Sequence, residues 1–242
     1  MRTALITGGA RGIGRAIGLD LASRGWNVAL CYRTSVEAAA QTAAEIEQRG
    51  GHALAVRADV ADPTQCEVLV SAVRGAFGDP DVLIHCAGPY HRTDLLSETP
   101  QGWRAMLGPN LDGFFYCARL VAPAMMERRW GRILAFSMAN ADRALAQPQL
   151  TAHYIAKSGV LILVRTLAKM LAPYGVTANA ISPGFIDSGS EPPEQLEQLR
   201  KRIPAGYLGS LEDCVSAARY LLSEEARYVN GANLLLSGGW GL

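Results

Sequence analysis

The sequence predicts a single α/β domain: one doubly wound parallel sheet with helices on both faces. Two observations carry this. Short apolar, strand-like runs alternate with stretches at helical spacing along all 242 residues. Hydrophobic residues make up 49% of the chain, enough for one large core, and no composition break or internal repeat marks a second domain.

The elements follow in order. The first strand is expected at Ala4–Ile6, leading through a glycine-rich turn into a helix over Gly14–Arg24. Strands at Asn27–Cys31 and His52–Arg57 bracket a helix over Val36–Gln48. A helix over Pro63–Phe77 precedes the strand Val82–His85. Helices over Leu111–Glu127 and His153–Met170 flank the strand Ile133–Phe136, and strands at Thr177–Ile181 and Asn233–Leu236 finish the sheet. The segment Ile186–Gly206 stands apart: a polar stretch with Pro192-Pro193, then the charged run Glu194–Arg202. Such an insertion reads either as a substrate lid at 186–206 or as a solvated surface excursion.

Composition excludes several classes. Twenty-three basic against 22 acidic residues give no electrostatic reason to expect nucleic acid or an anionic membrane as partner. No run approaches the roughly 18 apolar residues of a membrane span. The start, Met1-Arg2-Thr3-Ala4-Leu5-Ile6, lacks a signal-peptide layout, so a soluble cytoplasmic protein is expected. Five scattered cysteines without metal spacing read as reduced, packed thiols, and no metal is expected.

The first motif is Thr7-Gly8-Gly9-Ala10-Arg11-Gly12-Ile13-Gly14, set between the first strand and first helix. Glycines there let the backbone turn and approach a pyrophosphate, and the helix N-terminus offers free N–H groups. This is the context of a Rossmann-type dinucleotide site; a purely structural turn is the alternative. At the end of the second strand a carboxylate would bind the ribose 2′-hydroxyl of NAD, but this chain has Cys31-Tyr32-Arg33-Thr34-Ser35. Arg33, helped by Arg11, could instead hold a 2′-phosphate, so NADP(H) is the expected cofactor; the alternative is an ordinary exposed arginine.

Together these motifs make the chain resemble the short-chain dehydrogenase/reductase family over essentially its whole length. The loop from Thr7 to Gly14 is similar to the family's TGxxxGxG pattern, Asp59-Val60 to its adenine-contacting pair, and His85-Cys86-Ala87-Gly88 to the second half of its NNAG motif. Asn110 matches the helix asparagine that anchors a proton-relay water. Pro183-Gly184-Phe185-Ile186 matches the loop against the nicotinamide carboxamide, with Ser188 where a threonine is frequent. The closing Gly238-Gly239-Trp240-Gly241 is similar to the C-termini of 3-oxoacyl carrier-protein reductases.

The resemblance implies reduction of a small carbonyl substrate (a ketone or 3-oxoacyl compound) with Asn110, Ser137, His153 and Lys157 as the catalytic set. It also implies a homodimer or homotetramer formed through the helices Leu111–Glu127 and His153–Met170. Two catalytic positions depart from the pattern. Phe136-Ser137-Met138 offers Ser137, whereas strict register places Met138 where the catalytic serine belongs. Four residues before Lys157, the position of the catalytic tyrosine, stands His153, with Tyr154 one place later.

An imidazole, with an ordinary pKa near 6.5, could do the phenol's proton chemistry, though Lys157 beside it disfavours the charged form. Turnover displaced toward acid is then expected. Tyr154 is the rival, rotated by roughly 100° from the tyrosine position. A third reading keeps the fold and cofactor but loses carbonyl reduction, as a sensor or assembly partner, or as a non-redox acid/base enzyme. Tyr90 and His91, in the loop after the fourth strand, are candidate substrate contacts.

Overall fold

In a computed structural model, residues 1–189 and 193–242 are described. Seven parallel strands form one sheet: β1 (Thr3–Thr7), β2 (Asn27–Tyr32), β3 (His52–Arg57), β4 (Val82–His85), β5 (Gly131–Phe136), β6 (Val176–Pro183) and β9 (Asn233–Leu236). Their spatial order is β3-β2-β1-β4-β5-β6-β9. Two residues each from β7 (Ile186–Asp187) and β8 (Gly209–Ser210) pair as a small parallel ribbon beside it.

The helices are α1 (Gly12–Ser23), α2 (Val36–Gln48), α3 (Pro63–Phe77), α4 (Pro100–Leu107), α5 (Gly113–Arg128), α6 (Thr151–Leu171), α7 (Pro193–Arg200) and α8 (Leu211–Leu222). The central strands are buried on both faces, which is why they read as unbroken apolar runs. Side chains alternate between two cores. Leu5, Ala29, Leu83 and Ile133 meet α3, α5 and α6, while Ile6, Leu30, Ile84 and Leu134 meet α1 and α8. No described helix is long and apolar enough to cross a membrane.

Strand order reverses between β1 and β4, so the loops leaving their C-terminal ends diverge and open a crevice there. The glycine turn follows β1, and the segment beginning at Cys86 follows β4. Between α4 and α5 the chain widens into a π turn over Gly108–Asp112. Asn110 sits in it, and its Nδ2 donates to the Met106 carbonyl at 2.9 Å and to the Pro89 carbonyl at 3.0 Å. The side chain thus takes a carbonyl that α-helical pairing would give to the Asn110 backbone N–H.

Candidate active site

The turn after β1 is shaped for close approach. Gly8 has φ of 67° and Gly12 has φ of 54°, both in the left-handed region that glycine adopts freely. A Cβ on Gly8 would lie 2.8 Å from the Ala87 nitrogen, and one on Gly14 would lie 2.6 Å from the Gly8 carbonyl oxygen. At Gly12 a Cβ would meet nothing within 4 Å, so the turn opens onto free space there. Ile13 follows in the first turn of α1, and no side chain caps that helix at Arg11. No side chain thus competes for its first-turn N–H groups at the cap position, as pyrophosphate binding requires.

The turn borders a cavity of about 260 Å³ lined by Gly8, Arg11, Arg33, Ser35, Val60 and Ala87 among others, with no carboxylate in its described lining. Arg33 reaches Asp59 only loosely, at 3.6 Å. The Asp59 Oδ1 accepts the Ala61 N–H at 3.0 Å, which ties the turn after β3, and Val60 is buried behind it. The glycine cradle and the uncapped helix fit a dinucleotide.

His85 links three of these parts. Its Nε2 lies 3.0 Å from the Pro109 carbonyl, which can only accept, so this nitrogen carries the proton. Nδ1 then accepts from Thr7 Oγ1 at 2.9 Å, and Thr7 Oγ1 in turn accepts the Ala87 N–H at 3.2 Å. One neutral imidazole thereby joins the end of β1, the start of the loop after β4 and the π turn that carries Asn110. Complete burial, reinforced by the Lys157 charge, pushes its pKa down to about 3.

Lys157 lies on α6, one helical turn after His153, on the same face. Its Nζ donates to the Phe136 carbonyl at 2.8 Å, and burial lowers its pKa to about 8. Gly88 lies against it. A Cβ there would come within 2.5 Å of Asn110 Oδ1 and 3.0 Å of Lys157 Nζ. Asn110 Oδ1 is itself buried and without a hydrogen-bond partner. Gly88, Asn110 and Lys157 thus lie together.

His153 is 7% exposed, and its Nδ1 is buried with no hydrogen-bond partner. The Tyr90 ring stands edge-on to it at 5.3 Å. Burial first, and the Lys157 charge second, drive its pKa down to about 4, against a smaller opposing pull from the Pro89 carbonyl. The ring is therefore neutral across the physiological range.

Two expectations are corrected here. Ser137 does not face the cleft: its Oγ donates to the Lys157 carbonyl at 2.8 Å, and the cleft wall is formed by Met138. Successive residues leaving a strand point to opposite sides, so the hydroxyl and the thioether cannot exchange places. Tyr154 faces the 138–150 loop, where its hydroxyl donates to the Asn140 carbonyl and accepts the Leu145 N–H at 3.1 Å. It anchors that loop and leaves His153 on the Lys157 side.

Beside His153 lies a cavity of about 610 Å³ bounded by Tyr90, Met138, His153, Phe185, Leu199 and Trp240, among others. Pro183, Gly184 and Ile186 border it, with the Gly184 N–H bonded to the Leu236 carbonyl at 2.8 Å. Ser188 lies exposed just beyond β7. His91 turns away to Glu98, at 2.6 Å, and holds that carboxyl below its ordinary pKa range. Gln195, Leu196, Leu199 and Arg202 bring the 186–206 segment into the cavity wall; Ser190, Glu191 and Pro192 lie outside the described residues. Arg92, in the segment after β4, and Arg202, at the end of the charged run, share this cavity, which nothing in the sequence shows.

Known reductases and dehydrogenases are similar to this chain. A family model described as enoyl-(acyl carrier protein) reductase matches residues 8–241. The chain is 34% identical over 243 residues to 3-oxoacyl-(acyl-carrier-protein) reductase FabG of Staphylococcus aureus, covering 98% of this chain and 97% of the relative. It is 38% identical over 250 residues to L-rhamnose 1-dehydrogenase (NAD(P)(+)) of Azotobacter vinelandii, covering 98% and 96%. A crystal structure from Sinorhizobium meliloti, provisionally described as a short-chain alcohol dehydrogenase, superposes with a TM-score of 0.91 at 30% identity, covering 99% of this chain and 96% of that one.

Proposed function

The chain belongs to the short-chain dehydrogenase/reductase family, and from that premise we propose an NADP(H)-dependent oxidoreductase that interconverts a ketone or 3-oxoacyl-type carbonyl and its alcohol, with His153 in the tyrosine's place. The observation that carries this is the buried, unpartnered Nδ1 of His153, on the Lys157 face of α6 and in the wall of the substrate cavity. A buried polar nitrogen without a partner costs free energy, roughly 1–3 kcal/mol, that a bound substrate oxygen or water would recover.

Thr7, Gly8, Gly12, Ile13 and Gly14 would hold the pyrophosphate, with Arg11 and Arg33 on the 2′-phosphate. Asp59 and Val60 would border the adenine, and Ala87, Gly88, Lys157, Pro183, Gly184, Ile186 and Ser188 the nicotinamide half. When bound, NADP(H) supplies or accepts the hydride. His153 handles the proton. As the neutral imidazole it takes a proton from an alcohol, and as the imidazolium it gives one to a carbonyl oxygen. With its pKa near 4, the base form dominates around neutrality, so reduction quickens as pH falls while oxidation does not.

His153→Ala should remove most turnover. His153→Tyr should keep or raise it and move the reductive pH profile upward. Normal turnover by His153→Ala would dismiss the assignment. A second reading has its own observation: Met138 fills the serine position and can donate no hydrogen bond, so the fold could bind NADPH without reducing carbonyls. Tight NADPH binding with no hydride transfer to any carbonyl tested would favour it. We further infer a homodimer or homotetramer that covers Phe115, Ile155, Ile162 and Met170, exposed apolar residues of α5 and α6. Sedimentation as a monomer at micromolar concentration would refute that.

A further inference from the structure

Among the described residues lining the 610 Å³ substrate cavity, the permanently charged side chains are two arginines, Arg92 and Arg202, and no carboxylate is present. The remaining lining is apolar, aromatic or amide-bearing, apart from His153, which is neutral. The chain overall is balanced, with 23 basic and 22 acidic residues, so the bias belongs to the cavity.

Both guanidinium groups are placed. Arg92 leaves the loop after β4, and its Nη2 donates to Gln149 Oε1 at 2.7 Å. Arg202, beyond the end of α7, sits over two aromatic rings, 5.1 Å from the Phe185 centroid and 6.0 Å from that of Trp240. Those two rings pack on each other at 4.6 Å, a platform that orients the guanidinium while leaving its donors unspent. Neither arginine has a carboxylate within ion-pair distance among the described residues.

We propose that Arg92 and Arg202 form an anion subsite, so that the substrate carries an oxyanion group, carboxylate or phosphate, in addition to the carbonyl or alcohol that reacts. This rests on the oxidoreductase reading for the reacting end but not for the binding end. Two cations in a concave, partly apolar cavity attract an anion strongly. Arg also matches carboxylate and phosphate oxygens with paired donors.

The test uses matched probes on the protein saturated with NADP(H). Levulinate is compared with methyl levulinate, and hydroxyacetone phosphate with hydroxyacetone, by calorimetric binding and by turnover. At least one anion should bind at least about 10-fold more tightly than its neutral partner, as expected for charge-assisted hydrogen bonds. Whichever pair shows the preference identifies carboxylate or phosphate as the group held. Arg92→Gln and Arg202→Gln should each shrink that preference, their combination should abolish it, and Arg202→Lys should restore part of it. NADPH affinity and the melting temperature serve as controls for folding.

Equal binding of both members of both pairs would overturn the subsite, as would a preference that survives the double substitution. Discriminating binding without any hydride transfer would instead sink the oxidoreductase reading and leave the subsite standing.

Discussion

Replacing His85 with asparagine tests the buried network directly. His85 has a folded pKa of about 3, against an ordinary value of 6.5. Its pKa is depressed on folding, so the unfolded chain binds a proton as pH falls below about 6.5, while the native state resists until about 3. The neutral group's contribution is fully present above the unfolded pKa and is lost as pH falls through that window. Between pH 7 and pH 5 the loss amounts to about 2 kcal/mol for this one residue.

Asparagine's amide oxygen reaches the Nδ1 position and can still accept from Thr7, but the amide falls short of Pro109 and cannot take up the proton. Urea unfolding of wild type and His85→Asn at both pH values reads the difference. The variant's stability should fall by about 2 kcal/mol less than wild type's between pH 7 and pH 5, whatever its stability at pH 7. Identical pH dependence in the two proteins would refute the claim that a neutral, buried imidazole joins β1, β4 and the π turn.

Other consequences are as concrete. His153, with its pKa near 4, adds a second acid-sensitive contribution over the window from 6.5 to 4, so His85→Asn and His153→Asn together should lessen the pH 7-to-5 loss by about 4 kcal/mol; additivity failing by half would show the two titrations are coupled. Tyr154→Phe strips the Asn140 carbonyl and the Leu145 N–H of a partner and should cost about 2 kcal/mol, seen as a melting temperature lower by about 4–8 °C. Gly8→Ala would force a Cβ against the Ala87 nitrogen at positive φ; dinucleotide binding by fluorescence should vanish with the fold retained or destabilised by about 1–2 kcal/mol. Arg33→Ala should weaken NADPH about 10- to 100-fold and NADH hardly at all; equal losses would remove Arg33 from the 2′-phosphate.

Strands buried on both faces announce themselves, and Val82–His85 can be read directly from its apolar run; the half-buried edge strand Asn233–Leu236 is legible from its run of leucines. The glycine turn was equally legible, since Gly8, Gly12 and Gly14 serve backbone geometry that no other residue satisfies. The helix Pro100–Leu107 was not singled out, although Thr99 caps it by accepting the Gly102 N–H at 2.9 Å. The capping box of Ser210 and Asp213 that opens α8 was overlooked too. The π turn left no periodic trace, because it depends on Asn110 bonding to two carbonyls, one of them 21 residues away at Pro89. The choice between Ser137 and Met138 turned on which way a strand end points, a register of one residue that composition does not carry.

All seven strands of the main sheet run the same way, so both cavities described above open at the edge formed by the strands' C-terminal ends. On the opposite edge, Gly25 and Gly50 close exposed turns where an added Cβ would meet nothing within 4 Å. A fused domain, a surface tether or a short insertion placed in either turn would hold the protein by its back. The cofactor and substrate mouths would then face outward, away from the support.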